Sequence, residues 1–191
     1  MKMLRDRILE LGQVLPGDIL NVNAFLNHQL DTKLLGHIGK TFAEHFRDSD
    51  VTKVITIESS GIAAAVTTGI ELQVPVVFAK KAKPSTMDSN LYTAAAYSYT
   101  KQLQSDVIVD KRFISPADRL LVIDDFLARG DALSALISII KQASATLAGI
   151  GIVIEKAFQG GGEKVRAAGY EVFALARIKS LSPPNGIEFM D

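Results

Sequence analysis

Hydrophobic positions along this chain fall into two periods. Residues 2 to 11 set Leu4, Ile8 and Leu11 on one stripe, and residues 33 to 48 set Leu34, Ile38, Phe42 and Phe46 on another. Both stripes recur at helical spacing and predict amphipathic helices packed on a surface. From Val51 the pattern becomes an alternation: strand 53–57, helix 61–72, strand 75–79, strand 119–123, helix 132–146, strand 149–154, helix 163–168 and strand 170–176. The run LLVI at 120–123 is continuously β-branched and aliphatic, as expected of a strand covered on both faces. Repetition of strand and helix with short connections predicts an α/β fold, a mainly parallel twisted sheet flanked by helices.

Two stretches interrupt the pattern. Residues 13 to 31, QVLPGDILNVNAFLNHQLD, mix Pro and Gly with apolar residues and asparagines, and read as an appendage able to fold over a ligand. Residues 80 to 113 open with lysines and continue as two strand-like pieces, which predicts a hairpin excursion with a mobile tip. Loops of this length inside compact domains usually serve as lids or binding loops. The tail carries a Pro-Pro-Asn-Gly turn before a short strand at 187–190.

Composition narrows the function classes. With 191 residues, 48% of them hydrophobic, the chain suits a single domain spanning 1–191 with its own core. Its 21 basic and 21 acidic residues cancel, which argues against a nucleic-acid or membrane partner and for a small charged ligand. There is no cysteine, which excludes disulfides, thiolate metal sites and cysteine nucleophiles. The opening MKMLRDRILELG is charged and amphipathic, and no apolar run approaches about 18 uninterrupted residues. The expectation is a soluble, cytoplasmic protein.

The strongest chemical signal is RLLVIDDFLARGDA at 119–132, where an apolar strand ends in Asp124 and Asp125 and a small-residue turn opens the next helix. Carboxylates there are costly to desolvate unless solvated, paired or bound. In α/β sheets this edge is where ligands sit, and free NH groups in the turn of Ala128, Arg129, Gly130, Asp131 and Ala132 can hold a phosphate. Two acids beside a phosphate nest suggest a phosphorylated sugar, its vicinal hydroxyls donating to the carboxylates. Asp131 is unfavourable near phosphate unless it turns outward, and is a candidate helix cap. A second strand-to-helix turn at the same edge holds Glu58, Ser59, Ser60 and Gly61, which capping alone would also explain. Lys80, Lys81 and Lys83 form a basic run, and Lys156 follows the strand GIGIVI. The three histidines, His28, His37 and His45, form no metal-like cluster with acids; His37 and His45 read as surface residues, and no metal-ligating set is assigned.

The stretch VIDDFLARGDA closely resembles the phosphoribosyl pyrophosphate motif of the type I phosphoribosyltransferase family. With NVNAFLNHQLD, TIESSGI and GIGIVIEKAFQ the resemblance extends over nearly the whole chain. Many members carry Thr-Gly-Gly-Thr in the phosphate turn, where this chain has Arg129-Gly130-Asp131-Ala132, so side-chain phosphate contacts are lost and backbone contacts remain. The resemblance implies the type I fold with a small N-terminal hood (within 1–48) and a flexible loop (80–113). It implies transfer of 5-phosphoribose from phosphoribosyl pyrophosphate to xanthine, a purine-salvage step giving xanthosine monophosphate. Alternatives are a guanine- or hypoxanthine-preferring enzyme and a regulator that senses phosphoribosyl pyrophosphate. By the same resemblance, Asp124 and Asp125 hold the ribose diol, and residues 128–132 hold the 5-phosphate. Ser59, Ser60, Gly61 and Lys81 contact pyrophosphate. Leu20 and Asn27 cover and read the base, Lys156 donates to its exocyclic oxygen, and Phe158 stacks on the ring. Mg²⁺ bound through the sugar diphosphate and a homodimer complete the expectation.

Overall fold

The computed structural model describes residues 1–82, 90–98, 103–183 and 186–190. Its first ordering principle is the alternation of side chains along the central strands. In β7 (Arg119–Leu127), Leu121 and Ile123 face one layer of core while Leu120 and Val122 face the other. In β3 (Lys53–Ile57), Val54 and Ile55 divide the same way. Each such fully buried aliphatic side chain contributes about 1.5–3 kcal/mol of transfer free energy, and β7 holds no polar residue between Arg119 and Asp124.

The sheet has the order β10-β9-β8-β7-β3-β4. Its members are β4 (Val76–Ala79), β8 (Thr146–Lys156), β9 (Phe173–Ser182) and β10 (Gly186–Phe189), with β3 and β7 at the centre. All pairs are parallel except β10 with β9. On one face lie α1 (Lys2–Leu11), α2 (Thr32–His45) and α3 (Ile62–Leu72), bringing Leu4, Ile8, Leu34, Ile38 and Phe42 into one core. On the other lies α4 (Asp131–Gln142), under the antiparallel hairpin of β5 (Leu91–Ser98) and β6 (Leu103–Asp110). The short α5 (Gly161–Ala167) follows β8. No helix among the described residues is long and apolar enough to cross a membrane.

The predicted elements are present with shifted ends. The second helix stops at His45 rather than residue 48, and the helix expected at 132–146 runs Asp131–Gln142. The largest corrections are at the ligand edge. Strand β7 does not end at Ile123: pairing with β8 continues through Asp124 opposite Ile152 to Leu127 opposite Glu155. The two aspartates therefore lie inside a strand, held by a rigid ladder. Residues 13–31 are no loose appendage either. They form the hairpin of β1 (Gln13–Leu15) and β2 (Ile19–Asn21) and a π-helix at Asn23–Asn27. Their Val14, Leu20, Val22, Phe25 and Leu26 are buried in the core shared with α1 and α2. His45 is exposed, as expected of a surface residue, and also stacks on Phe173 with ring centroids 3.7 Å apart. The 80–113 excursion is the expected hairpin; its expected mobile tip and Lys83 lie outside the described residues.

Candidate active site

Asp124 is buried, 8% exposed, on β7 where β3, β7 and β8 run side by side. Its Oδ1 accepts the Asp125 amide at 3.1 Å. Burial pushes the Asp124 carboxyl well above its ordinary range, and the adjacent Asp125 charge pushes the same way, against the pull of Lys81. Asp125 is also raised by burial, with a hydrogen bond from the Asn27 side chain opposing the shift. Two adjacent carboxyls within β7 thus share a site that discourages double ionisation until donors or cations arrive.

The Glu58–Gly61 loop is pressed onto this pair. A Cβ added at Gly61 would meet Asp124 Oδ1 at 2.7 Å and Thr56 Oγ1 more closely still, so glycine is required there by space. The Glu58–Ser59 peptide is cis. Glu58 Oε1 accepts the Lys81 amide at 2.8 Å, which ties the start of the basic segment to this loop. Thr56 Oγ1 is buried without a partner.

At the start of α4, Gly130 is the N-cap residue, with φ +89°, and Asp131 is the first helical residue without a side-chain cap bond. The capping role expected of Asp131 therefore falls to the backbone of Gly130, whose left-handed φ suits glycine. Asp131 still complements the positive end of the helix. The turn is packed from behind by α5: Gly161 N–H donates to the Ala128 carbonyl at 3.0 Å, and a Cβ at Gly161 would lie 2.7 Å from Gly130 N.

Across the cavity stands Lys156, the last residue of β8. This cavity, about 440 Å³, is lined by Asp124, Phe126, the 128–132 turn, Lys156 and the β1–β2 turn at Gly17, Asp18 and Ile19. Lys156 Nζ donates to the Asp18 carbonyl at 2.8 Å and lies 5.4 Å from the centroid of the Phe126 ring. Burial lowers the Lys156 pKa, and the Asp18 charge counters it.

The structure thus brings together Asp124, Asp125, residues 128–132, Gly61, Lys81 and Lys156. Leu20, Phe158 and Asn27 do not line this cavity, although the Asn27 side chain reaches Asp125. Leu20 is 5% exposed and packs in the core near Gly12, while its neighbour Ile19 lines the cavity. Phe158 follows β8 in a 3₁₀ turn (Ala157–Gln159) and lines an adjoining pocket with Arg129 and Asp131; the ring beside Lys156 is Phe126. Asn27 lines a pocket with Ser59 and Ser60, and its Oδ1 is buried without a partner.

Residues 27–176 match the phosphoribosyl transferase domain family. The chain belongs to the phosphoribosyltransferase family. Curated relatives include xanthine phosphoribosyltransferases of Pseudomonas entomophila, 56% identical over 95% of each chain, and Listeria innocua, 55% identical over 95% of this chain and 94% of the relative. That of Bacillus cereus is 51% identical over 100% of this chain and 96% of its own. Among solved structures, an adenine phosphoribosyltransferase from Giardia lamblia with bound 9-deazaadenine superposes with a TM-score of 0.77, at 23% identity, covering 91% of this chain and 97% of that one. The enzyme from Trypanosoma brucei reaches 0.77 at 18% identity, over 95% and 83%. These two establish the type I fold alone.

Sequence reasoning missed one group at the edge of this phosphoribosyltransferase site. Glu155, fully buried beside Lys156, accepts from Arg166 Nη1 and Nη2 at 2.7 and 2.8 Å and from Arg177 Nε at 3.0 Å. The signal was present: an acid continuing the aliphatic run GIGIVI must meet cations when β8 is covered on both faces.

Proposed function

We propose that this phosphoribosyltransferase transfers the 5-phosphoribosyl group of phosphoribosyl pyrophosphate to xanthine, releasing xanthosine 5′-monophosphate and pyrophosphate. The carrying observation is Asp124 of β7, adjoined by Asp125, lining one cavity with Lys156 and the glycine turn at the start of α4. Identity of 51–56% to named xanthine phosphoribosyltransferases supports the choice of base.

The C1′–O bond to pyrophosphate breaks, the C1′–N9 bond forms, and the N9 proton leaves to solvent. Position 128 offers an alanine, so the turn holds no base; xanthine is itself acidic enough to do without one. Amides of residues 128–132 bind the 5-phosphate at the positive end of α4. Asp124 and Asp125 accept from the ribose hydroxyls, and their charge favours the positive character that builds on the ribose as pyrophosphate departs. Ser59, Ser60, Gly61 and Lys81 take the pyrophosphate. The Lys156 ammonium donates to a purine oxygen and has nothing to accept from an amino group with, which favours oxopurines over adenine. Most of the rate then comes from positioning and charge.

Mg²⁺ fits this donor set. Two carboxylates beside phosphoryl oxygens suit a hard cation, and no group of three or more metal-ligating side chains gathers among the described residues. The ion would be held mainly by the oxygens of the sugar diphosphate and by water, close to Asp124 and Asp125, and would neutralise the leaving group. A second copy of the chain completes the reading: Val66 and Ile70 of α3 and Phe78 of the edge strand β4 are exposed, and sedimentation at micromolar concentration is expected to give a dimer. The phosphorylated substrates do not cross membranes, so the reading places the enzyme in the cytoplasm, which cell fractionation checks.

The test is steady-state nucleotide formation with phosphoribosyl pyrophosphate, Mg²⁺ and xanthine, guanine, hypoxanthine or adenine in parallel. Preference for xanthine is expected. Preference for guanine or hypoxanthine would reassign the base, and tight sugar-diphosphate binding without turnover on any base would point to a regulator.

A further inference from the structure

The Lys156 contact reaches a part of the chain that the proposed mechanism leaves unused. Strands β1 and β2 pair antiparallel, with Leu15 opposite Ile19, and the intervening turn carries Gly17 at φ +82° and Asp18 at φ +60°. Nothing lies within 4 Å of a Cβ built on Gly17, so glycine serves the backbone conformation there and not packing. Asp18 holds a left-handed conformation that non-glycine residues adopt only at some expense. That geometry aims the Asp18 carbonyl inward, where it accepts Lys156 Nζ at 2.8 Å, 138 residues away in sequence. The same ammonium lies 5.4 Å from the Phe126 ring centroid.

The geometry points to the Gly17–Asp18 turn as the positioning element of the base pocket: its carbonyl orients the Lys156 ammonium and locks the hood onto the sheet as one unit. The role in base selection rests on the function proposed above; the lock itself does not. A lysine carries three donors on a flexible four-carbon stem. With one donor held by Asp18 and the cation set near Phe126, the remaining donors are confined to the cavity that Asp124 and the 128–132 turn line. A purine oxygen placed there meets a preformed donor, and the turn thereby favours oxo over amino bases.

Two backbone-directed substitutions and one side-chain substitution test this. Gly17→Val adds no clash but disfavours the left-handed φ, by an amount worth about tenfold in an equilibrium. The expected result is a KM for xanthine raised about tenfold with the KM for phosphoribosyl pyrophosphate within about twofold of the parent. Asp18→Gly keeps the carbonyl and relieves φ, so its KM for xanthine is expected to rise less than that of Gly17→Val. An unchanged xanthine KM in Gly17→Val, an equal rise in both KM values, or an Asp18→Gly variant as impaired as Gly17→Val would each overturn the assignment. Independently of turnover, amide hydrogen exchange of the ligand-free protein compares the parent with Lys156→Met. Exchange at residues 17–21 is expected to quicken at least about threefold while β7 and β8 keep their rates; unchanged exchange at the turn would refute the lock even if xanthine is the substrate. A parent inactive on xanthine, with exchange responding as expected, would refute the function and leave the lock standing.

Discussion

Replacing Glu155 with Gln removes one buried charge and keeps the shape of the side chain. The carboxylate is 1% exposed and receives three hydrogen bonds, two from Arg166 and one from Arg177. Gln keeps one acceptor and turns an NH₂ group toward guanidinium donors, so at least one bond is lost and one contact becomes repulsive. Breaking a fully buried ion pair costs about 3–5 kcal/mol. Arg166 and Arg177 each keep about a third of their side-chain surface in water, which returns part of their solvation and puts the expected loss near 3 kcal/mol. For a chain of 191 residues, at about 2–4 °C for each kcal/mol, the melting temperature should fall by about 6–12 °C, read by calorimetry at neutral pH. The pH dependence has a defined sign. Burial pushes Glu155 up, but the bonds and charges of Arg166 and Arg177 win and hold it below its ordinary value. Its contribution is therefore complete above the unfolded carboxylate range and is lost as pH falls through the lowered folded value. A Glu155→Gln variant melting within about 2 °C of the parent, or a gap that widens as pH falls, would refute this reasoning.

Asp124→Asn should stabilise the ligand-free protein while abolishing turnover. Its raised carboxyl makes ionisation unfavourable in the fold, so the native state loses stability as pH rises through that value; the neutral amide removes the penalty, and a melting temperature no higher than the parent's near neutral pH would contradict it. Gly61→Ala should lower kcat/KM for phosphoribosyl pyrophosphate by at least about tenfold, because its Cβ intrudes on Asp124 Oδ1 and Thr56 Oγ1; parent-like kinetics would show that the loop yields freely. At the opposite end of the sheet, burial raises Asp118, but Lys53 and Ser115 bring it down to about 2. Its stabilisation is present above the unfolded value and disappears as pH falls toward 2, so Lys53→Met should cost stability at neutral pH and progressively less in acid titration.

Much of the fold was legible because the aliphatic run at 120–123 is a strand buried on both faces, a pattern that needs helices on either side. The strand ends were less legible. Asp124 and Asp125 look like loop residues by polarity, yet pairing of β7 with β8 carries the ladder through them. The hood was misread for a related reason: Pro, Gly and asparagines interspersed at 13–31 read as an appendage, while the apolar residues among them are the inner face of a small hairpin and a π-helix. In the site, Asp124, Asp125 and the 128–132 turn are contiguous in sequence and so were found together. Contacts made by long-range packing were not. The Asp18–Lys156 bond and the Glu155 cluster join residues from different elements, and the choice of Phe126 over Phe158 beside Lys156 depends on how β8 ends in a 3₁₀ turn.

The most direct test of the site is a crystal structure with xanthosine 5′-monophosphate bound. The account predicts the 5′-phosphate on the amides of residues 128–132, the ribose hydroxyls on Asp124 and Asp125, and a purine oxygen within hydrogen-bond reach of Lys156 beside Phe126. A nucleotide lying with its phosphate away from that turn, or with its base out of reach of Lys156, would contradict it.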